Sequence, residues 1–237
     1  MGIPAKDRVL IAQRVLERLT SQYVIREDDY VTLHVSKKGE RDSFRTLVAT
    51  ILSQSSTDKG ALQAYDRLNQ RVGVEPRSLA NAPLKSIAAA IKIGGLHRTK
   101  SVALKDLART VIDRFDGNLD SHLSGLDPAK IRDILMSLPK VGPKTADVVI
   151  MTQSLGFSLP VDTHIDRIAK RLGFVSLKAR YEEVRAALEG LFLEKDYHRI
   201  HLLLIAHGRQ ACKARKPRCW DCLISDLCPY PKKTEQE

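Results

Sequence analysis

Two side chains eighteen residues apart could together break a bond to a sugar. Lys144 lies in "LPKVGPKTADVV" (residues 138–149), where a helix should begin behind Gly142 and Pro143. An ammonium at that end meets an unfavourable helix dipole, and Lys140 adds like charge. Both disfavour the protonated form, and an uncharged amine is a nucleophile. Taken by itself, Lys144 is more simply a phosphate contact, a common role for lysine. Asp162, in "LPVDTHIDRIAKRLGF", is placed to cap a helix beginning near Thr163. As chemistry, its carboxylate could stabilise oxocarbenium-like charge on a sugar and help deprotonate the lysine.

A second group of residues could hold metal. The four cysteines, Cys212, Cys219, Cys222 and Cys228, follow the spacing C-x6-C-x2-C-x5-C. Four thiolates in one small loop suit zinc or an iron–sulfur cluster, and the spacing leaves both open. Disulfides are the third reading, disfavoured in a reducing compartment. Between the first two cysteines runs "KARKPR", with Lys213, Arg215, Lys216 and Arg218. Cations pinned between metal ligands form a preorganised phosphate-binding surface. Trp220, inside the C-x2-C, suits a cover that keeps solvent from the metal centre.

The rest of the composition agrees with a polyanionic partner. The 237 residues carry a formal net charge of +11, which favours nucleic acid or an acidic membrane surface. No stretch is long and apolar enough to span a membrane, and the N-terminal "MGIPAKDRVLIAQRVL" lacks a secretory h-region. The expectation is an intracellular protein.

The elements that must position these residues are helical. "FRTLVATIL" places Phe44, Leu47, Val48, Ile51 and Leu52 on one stripe behind a cap at Asp42 or Ser43. "ALQAYDRL", "SIAAAIK", "ALKDLARTVIDRF" and "DPAKIRDILMSL" follow, the last opening on a cap and a first-turn proline. After the "LPKVG" turn come "KTADVVIMTQSL", "DTHIDRIAKRL", "YEEVRAALEGLF" and "YHRIHLLLIAHG". "YVTLHVS" (residues 30–36) alternates and is expected to be an extended connection. Short loops predict compact all-α bundles. The turn itself fits either a generic interhelical connection or a helix–hairpin–helix, whose backbone amides grip one DNA phosphate without reading sequence.

"LPKVGPKTADVV", "VDTHIDRI" and the cysteine spacing, in this order, resemble the endonuclease III family of helix–hairpin–helix DNA glycosylases. "ILSQSSTD" and "GGLHRTKS" also look like the family, and the resemblance runs from about Phe44 to Pro229. It implies an all-α fold of two helical domains with a DNA-binding cleft between them. A six-helix domain with the hairpin would span residues 41–156. Residues 1–40 and 157–237 would form the second domain, holding a 4Fe-4S cluster on Cys212, Cys219, Cys222 and Cys228. The implied activity is bifunctional: a damaged base is flipped out of double-stranded DNA, Lys144 forms a Schiff base with the sugar, and beta-elimination nicks the strand. Asp162 matches the family's essential aspartate. Oxidised pyrimidines and abasic sites are the implied substrates.

The same resemblance assigns DNA contacts. Lys140, Val141 and Gly142 would form the hairpin grip, with Lys213, Arg215, Lys216 and Arg218 at the cluster loop. Leu96 matches an apolar wedge that fills the vacated step, and His97 could assist. Gln54 looks like an inserted glutamine, although it falls one residue early, with Ser55 at the usual place. His164 could meet a phosphate, orient Asp162, or simply pack. Lys140 stands where relatives usually have glycine, and a positive φ there would cost a lysine about 1 kcal/mol.

The enzyme is expected to act as a monomer. It would work in the cytoplasm of a prokaryote, or in the nucleus or an organelle of a eukaryote. Two rivals remain: a monofunctional mismatch glycosylase for thymine, uracil or adenine, and a non-catalytic DNA-binding iron–sulfur redox module. Lys144 favours the lyase over both.

Overall fold

The structure, a computed structural model, describes residues 5–26, 30–36 and 42–235. The chain divides into two compact units, Arg26–Gly156 and the combination of Met1–Ile25 with Phe157–Glu237. All regular structure among the described residues is helical, and no helix there is long and apolar enough to cross a membrane.

In Arg26–Gly156 the central element is α3 (Ser43–Ser53). Nine of its eleven residues are buried, so it is covered on nearly every side. Around it lie α2 (Val31–Ser36), α4 (Asp58–Arg71), α7 (His97–Phe115), α8 (Leu119–Leu123) and α10 (Pro143–Thr152). α5 (Pro76–Asn81) and α6 (Leu84–Ala90) close over α7, and α9 (Pro128–Met136) pairs with α10. The expected six-helix body at 41–156 holds eight α-helices among the described residues, three of them only five to seven residues long. Caps set the ends: the Asp42 carboxylate accepts from the Arg45 N–H, and Asp127 accepts from those of Ala129 and Lys130 ahead of Pro128.

Residues 31–36 are a correction. The alternating "VTLHVS" is the short helix α2, not an extended connection, and it belongs with α3 rather than with the N-terminal segment. Val31 and Leu33 are buried in packing against the core, and that contact overrides the β-branched pattern. The expected boundary at 40/41 lies outside the described residues.

The hairpin helices are locked by an ion pair invisible to hydropathy. Asp147 of α10 is fully buried and accepts from Arg132 Nε of α9 at 2.8 Å and from Arg132 Nη2 at 3.2 Å. Removing one partner of such a pair strands the other in a poorly solvated place. Asp147→Ala is therefore expected to lower the unfolding free energy by about 3 kcal/mol in urea denaturation. A negligible change would show that the pair contributes nothing to holding the hairpin.

The other unit is built on α13 (Tyr197–Gln210), which is buried at every residue from Ile200 to Gly208. α11 (Thr163–Arg171) and α1 (Ala5–Gln22) pack on it, and α12 (Tyr181–Glu189) packs on α11. α1 buries Ala12, Val15 and Leu19 along one stripe. Its far end is stitched to the cysteine loop by Arg18, which donates to the Leu223 carbonyl at 2.7 Å and pairs with Asp226.

Candidate active site and cluster loop

The turn before α10 runs Leu138–Lys140 and returns through Val141 and Gly142. Its left-handed residue is Lys140, at φ +61°. That position explains why glycine would be comfortable there, and the exposed lysine bears a strain of about 1 kcal/mol. Gly142 has an ordinary φ of −95°, so its value is space: no heavy atom lies within 4 Å of where a Cβ would sit. Its N–H has no protein acceptor among the described residues. Val141 differs from the expectation, since its N–H donates to the Leu138 carbonyl at 3.2 Å and its side chain joins the core. Val141 shapes the turn, and the open donor is Gly142. Lys144, half-buried, is the second residue of α10 behind Pro143.

Two exposed loops in the same unit carry the expected insertion residues. Gln54 ends α3, and its Nε2 donates to the Thr145 hydroxyl at 3.4 Å, beside Lys144. Ser55 follows at φ +50°. Leu96 is 58% exposed at φ +48°, immediately before α7. A bulky residue in the left-handed region costs about 1–3 kcal/mol and marks a position held for a purpose. Of the six non-glycine residues with positive φ among those described, four are Ser55, Leu96, Lys140 and Lys216, all at or beside expected DNA contacts. His97 begins α7 half-buried, along the groove between α6 and α7.

In the other unit Asp162 caps α11. Oδ1 accepts from the N–H groups of His164 at 2.9 Å and Ile165 at 2.8 Å. The carboxylate is therefore fixed in place by backbone, whatever else it does. His164 is half-buried in this structure. It lies flush on Gly208, where an added Cβ would come within 2.7 Å of its own Cβ, and its Nδ1 is 3.0 Å from Arg167 Nη2.

All four cysteines are free and half-buried, and they line one cavity with Ile168, Leu172 and Ile224. Four thiolates around one cavity are a donor set that suits an iron–sulfur cluster or zinc. Burial, followed by the neighbouring cysteines, pushes the Cys222 thiol up to about 11, so metal must drive its ionisation. Arg171 Nη1 donates to Cys212 Sγ at 3.2 Å and to the Lys213 carbonyl at 2.8 Å, while its guanidinium stacks on Tyr230 at 4.6 Å. His207 Nε2 is 3.8 Å from Cys222 Sγ, and its Nδ1 is 3.0 Å from the Tyr23 hydroxyl of α1. Burial, with Arg167 adding, pushes His207 down to about 4.

Trp220 is a second correction: it is 43% exposed and does not line the cavity. Tyr230 and Arg171 line the cavity instead, while Trp220 lies in the tight turn Cys219–Asp221. Lys213, Arg215, Lys216 and Arg218 are exposed, and Arg218 pairs with Asp221 inside the loop. Sequence reasoning missed Tyr23, Arg171 and His207. Their partners are distant in the chain, so no spacing announces them.

A fixed hairpin with an open amide, two strained exposed loops and a cysteine-lined cavity fit a DNA repair protein of the helix–hairpin–helix type. The comparisons agree. Residues 48–193 match the HhH-GPD superfamily base excision DNA repair protein, and residues 212–228 match the iron-sulfur binding domain of endonuclease III. The endonuclease III of Sulfolobus acidocaldarius is 38% identical over 221 residues, covering 93% of this chain and 96% of that protein. A solved trapped covalent intermediate of endonuclease III with DNA superposes with a TM-score of 0.76 at 29% identity, over 92% of this chain and 94% of that one. A thermostable thymine-DNA glycosylase superposes equally, at 0.76 over 95% and 96% of the two chains, but at 23% identity this likeness speaks to fold alone.

The chain belongs to the HhH-GPD superfamily, in its endonuclease III family. It is a bifunctional DNA glycosylase and abasic-site lyase of base excision repair, and it carries a 4Fe-4S cluster.

The anaerobically purified protein is accordingly expected to be yellow-brown, with broad absorption near ~400 nm. Stripping the iron should remove that band and lower the melting temperature by more than about 5 °C. A colourless protein with one zinc would contradict this.

Proposed function

We propose that the enzyme removes oxidised pyrimidines from duplex DNA, acting as a monomer, and nicks the strand 3′ to the lesion. Lys144 is the nucleophile. Its uncharged amine attacks C1′ of the flipped nucleotide as the glycosidic bond breaks and the base departs with the bonding pair. Loss of the ring oxygen's bond to C1′ gives the Schiff base, and removal of a C2′ proton expels the 3′ phosphate. Asp162 stabilises the positive charge that develops on the sugar and takes the proton released by the amine.

Gly142 and Lys140 hold a phosphate at the hairpin, where the N-terminal end of α10 favours an anion. Leu96 fills the vacated step, with Gln54 and His97 beside it. Lys213, Arg215, Lys216 and Arg218 contact the backbone, giving salt-dependent affinity. Cys212, Cys219, Cys222 and Cys228 ligate the cluster, which when bound holds this basic loop in shape. The work is done wherever the DNA is: the cytoplasm of a prokaryote, or the nucleus or an organelle of a eukaryote.

The observation that carries this reading is Lys144 at the head of α10, directly behind an amide open to a phosphate. Duplexes that each contain one lesion test it. Release of thymine glycol with a 3′ nick is expected. Cleavage confined to a G·T mismatch, with an intact abasic strand left behind, would favour the monofunctional rival.

A further inference from the structure

Lys100 is only 5% exposed, which is unusual for an ammonium, and its Nζ donates to backbone carbonyls. Nζ donates to Leu52 O at 2.7 Å and to Gly94 O at 3.2 Å. Leu52 lies two residues before Gln54, and Gly94 two residues before Leu96. The backbone N–H of Lys100 also donates to Leu96 O at 2.9 Å. One residue therefore grips the ends of both strained loops.

The surroundings fit a clamp. The Leu52 carbonyl lies in the last turn of α3, where the helix dipole favours a cation. On the opposite side the Gly94 turn is pressed onto α4: a Cβ at Gly94 would sit 3.0 Å from that of Ala64. Burial pushes the Lys100 ammonium down from its ordinary value. An apolar side chain would avoid that cost, so the ammonium's return is geometric: a fixed distance between two loops that must enter one duplex.

We infer that Lys100 is a positioning residue for base flipping, joining the Leu96 and Gln54 loops so that they insert as one rigid unit. It touches neither substrate nor reacting atoms, and it acts through Leu96. The inference rests on the glycosylase reading above. It adds that base extrusion, and not the chemistry at C1′, depends on this buried lysine.

The test is a double-mutant cycle on the cluster-loaded enzyme with Lys100→Met and Leu96→Ala. Two substrates separate the steps: a paired thymine glycol, which must be flipped, and a preformed abasic site, which has no base to extrude. Lys100→Met is expected to slow excision of the paired lesion by about 10²-fold. Borohydride trapping on the abasic site should stay within about twofold of native, as should the further effect of Lys100→Met in the Leu96→Ala background. Lys100→Arg, which keeps the charge and the donors, should restore part of the rate. If Lys100→Met fails to fold, Lys100→Gln carries the same cycle.

Equal losses from Lys100→Met with and without Leu96, or equal losses on both substrates, would overturn the inference and leave the enzymatic reading intact. Failure of the native enzyme itself to trap on the abasic site would instead strike that reading.

Discussion

Lys144→Ala is expected to abolish strand nicking and borohydride trapping, a loss of at least about 10³-fold, while duplex binding persists. Removing a nucleophile deletes a step for which the rest of the site has no substitute. Binding should survive because the phosphate grip belongs to the turn. Gly142 offers the open amide, Lys140 stands exposed, and the Arg132–Asp147 pair joins the two helices. Band-shift titration on an abasic duplex alongside trapping separates the two properties. Parallel loss of both would make Lys144 a phosphate contact. Efficient trapping by the variant would remove it from the chemistry.

Asp162→Asn should show the opposite of a structural residue's profile. The aspartate caps α11 through Oδ1, and asparagine caps helices equally well. The variant should therefore unfold within about 0.5 kcal/mol of native. Excision should nevertheless fall by about 10²–10⁴-fold, because a neutral amide neither stabilises a cationic sugar nor accepts a proton. Denaturant melts and single-turnover excision, measured on the same preparation, decide the matter. Full activity in Asp162→Asn would reduce Asp162 to its cap.

Much of this site could be read from the sequence because its signals are local. The Asp127–Pro128 start, the Asp162 cap and the stripe of α3 depend on neighbours a few residues away, and each stands as expected. The positive φ at Lys140 was the condition under which a lysine there bears strain, and the condition holds. What escaped depends on distant partners. Asp147 looks like an interruption in "TADVVIM" until Arg132 is seen beside it, and Lys100 looks like a surface cation until two carbonyls claim it. The helix at 31–36 is too short to declare a period, so its alternating residues pointed to the wrong element. Trp220 was assigned by the need for a shield, but a stacked Arg171–Tyr230 pair lines the cavity instead.

Borohydride trapping of the native enzyme on an abasic duplex, followed by peptide mapping of the covalent product, tests the assigned nucleophile most directly. The sugar remnant is expected on the amine of Lys144. Its recovery on Lys140, on Lys100 or on the N-terminal amine would contradict the assignment, and so would the absence of any covalent product.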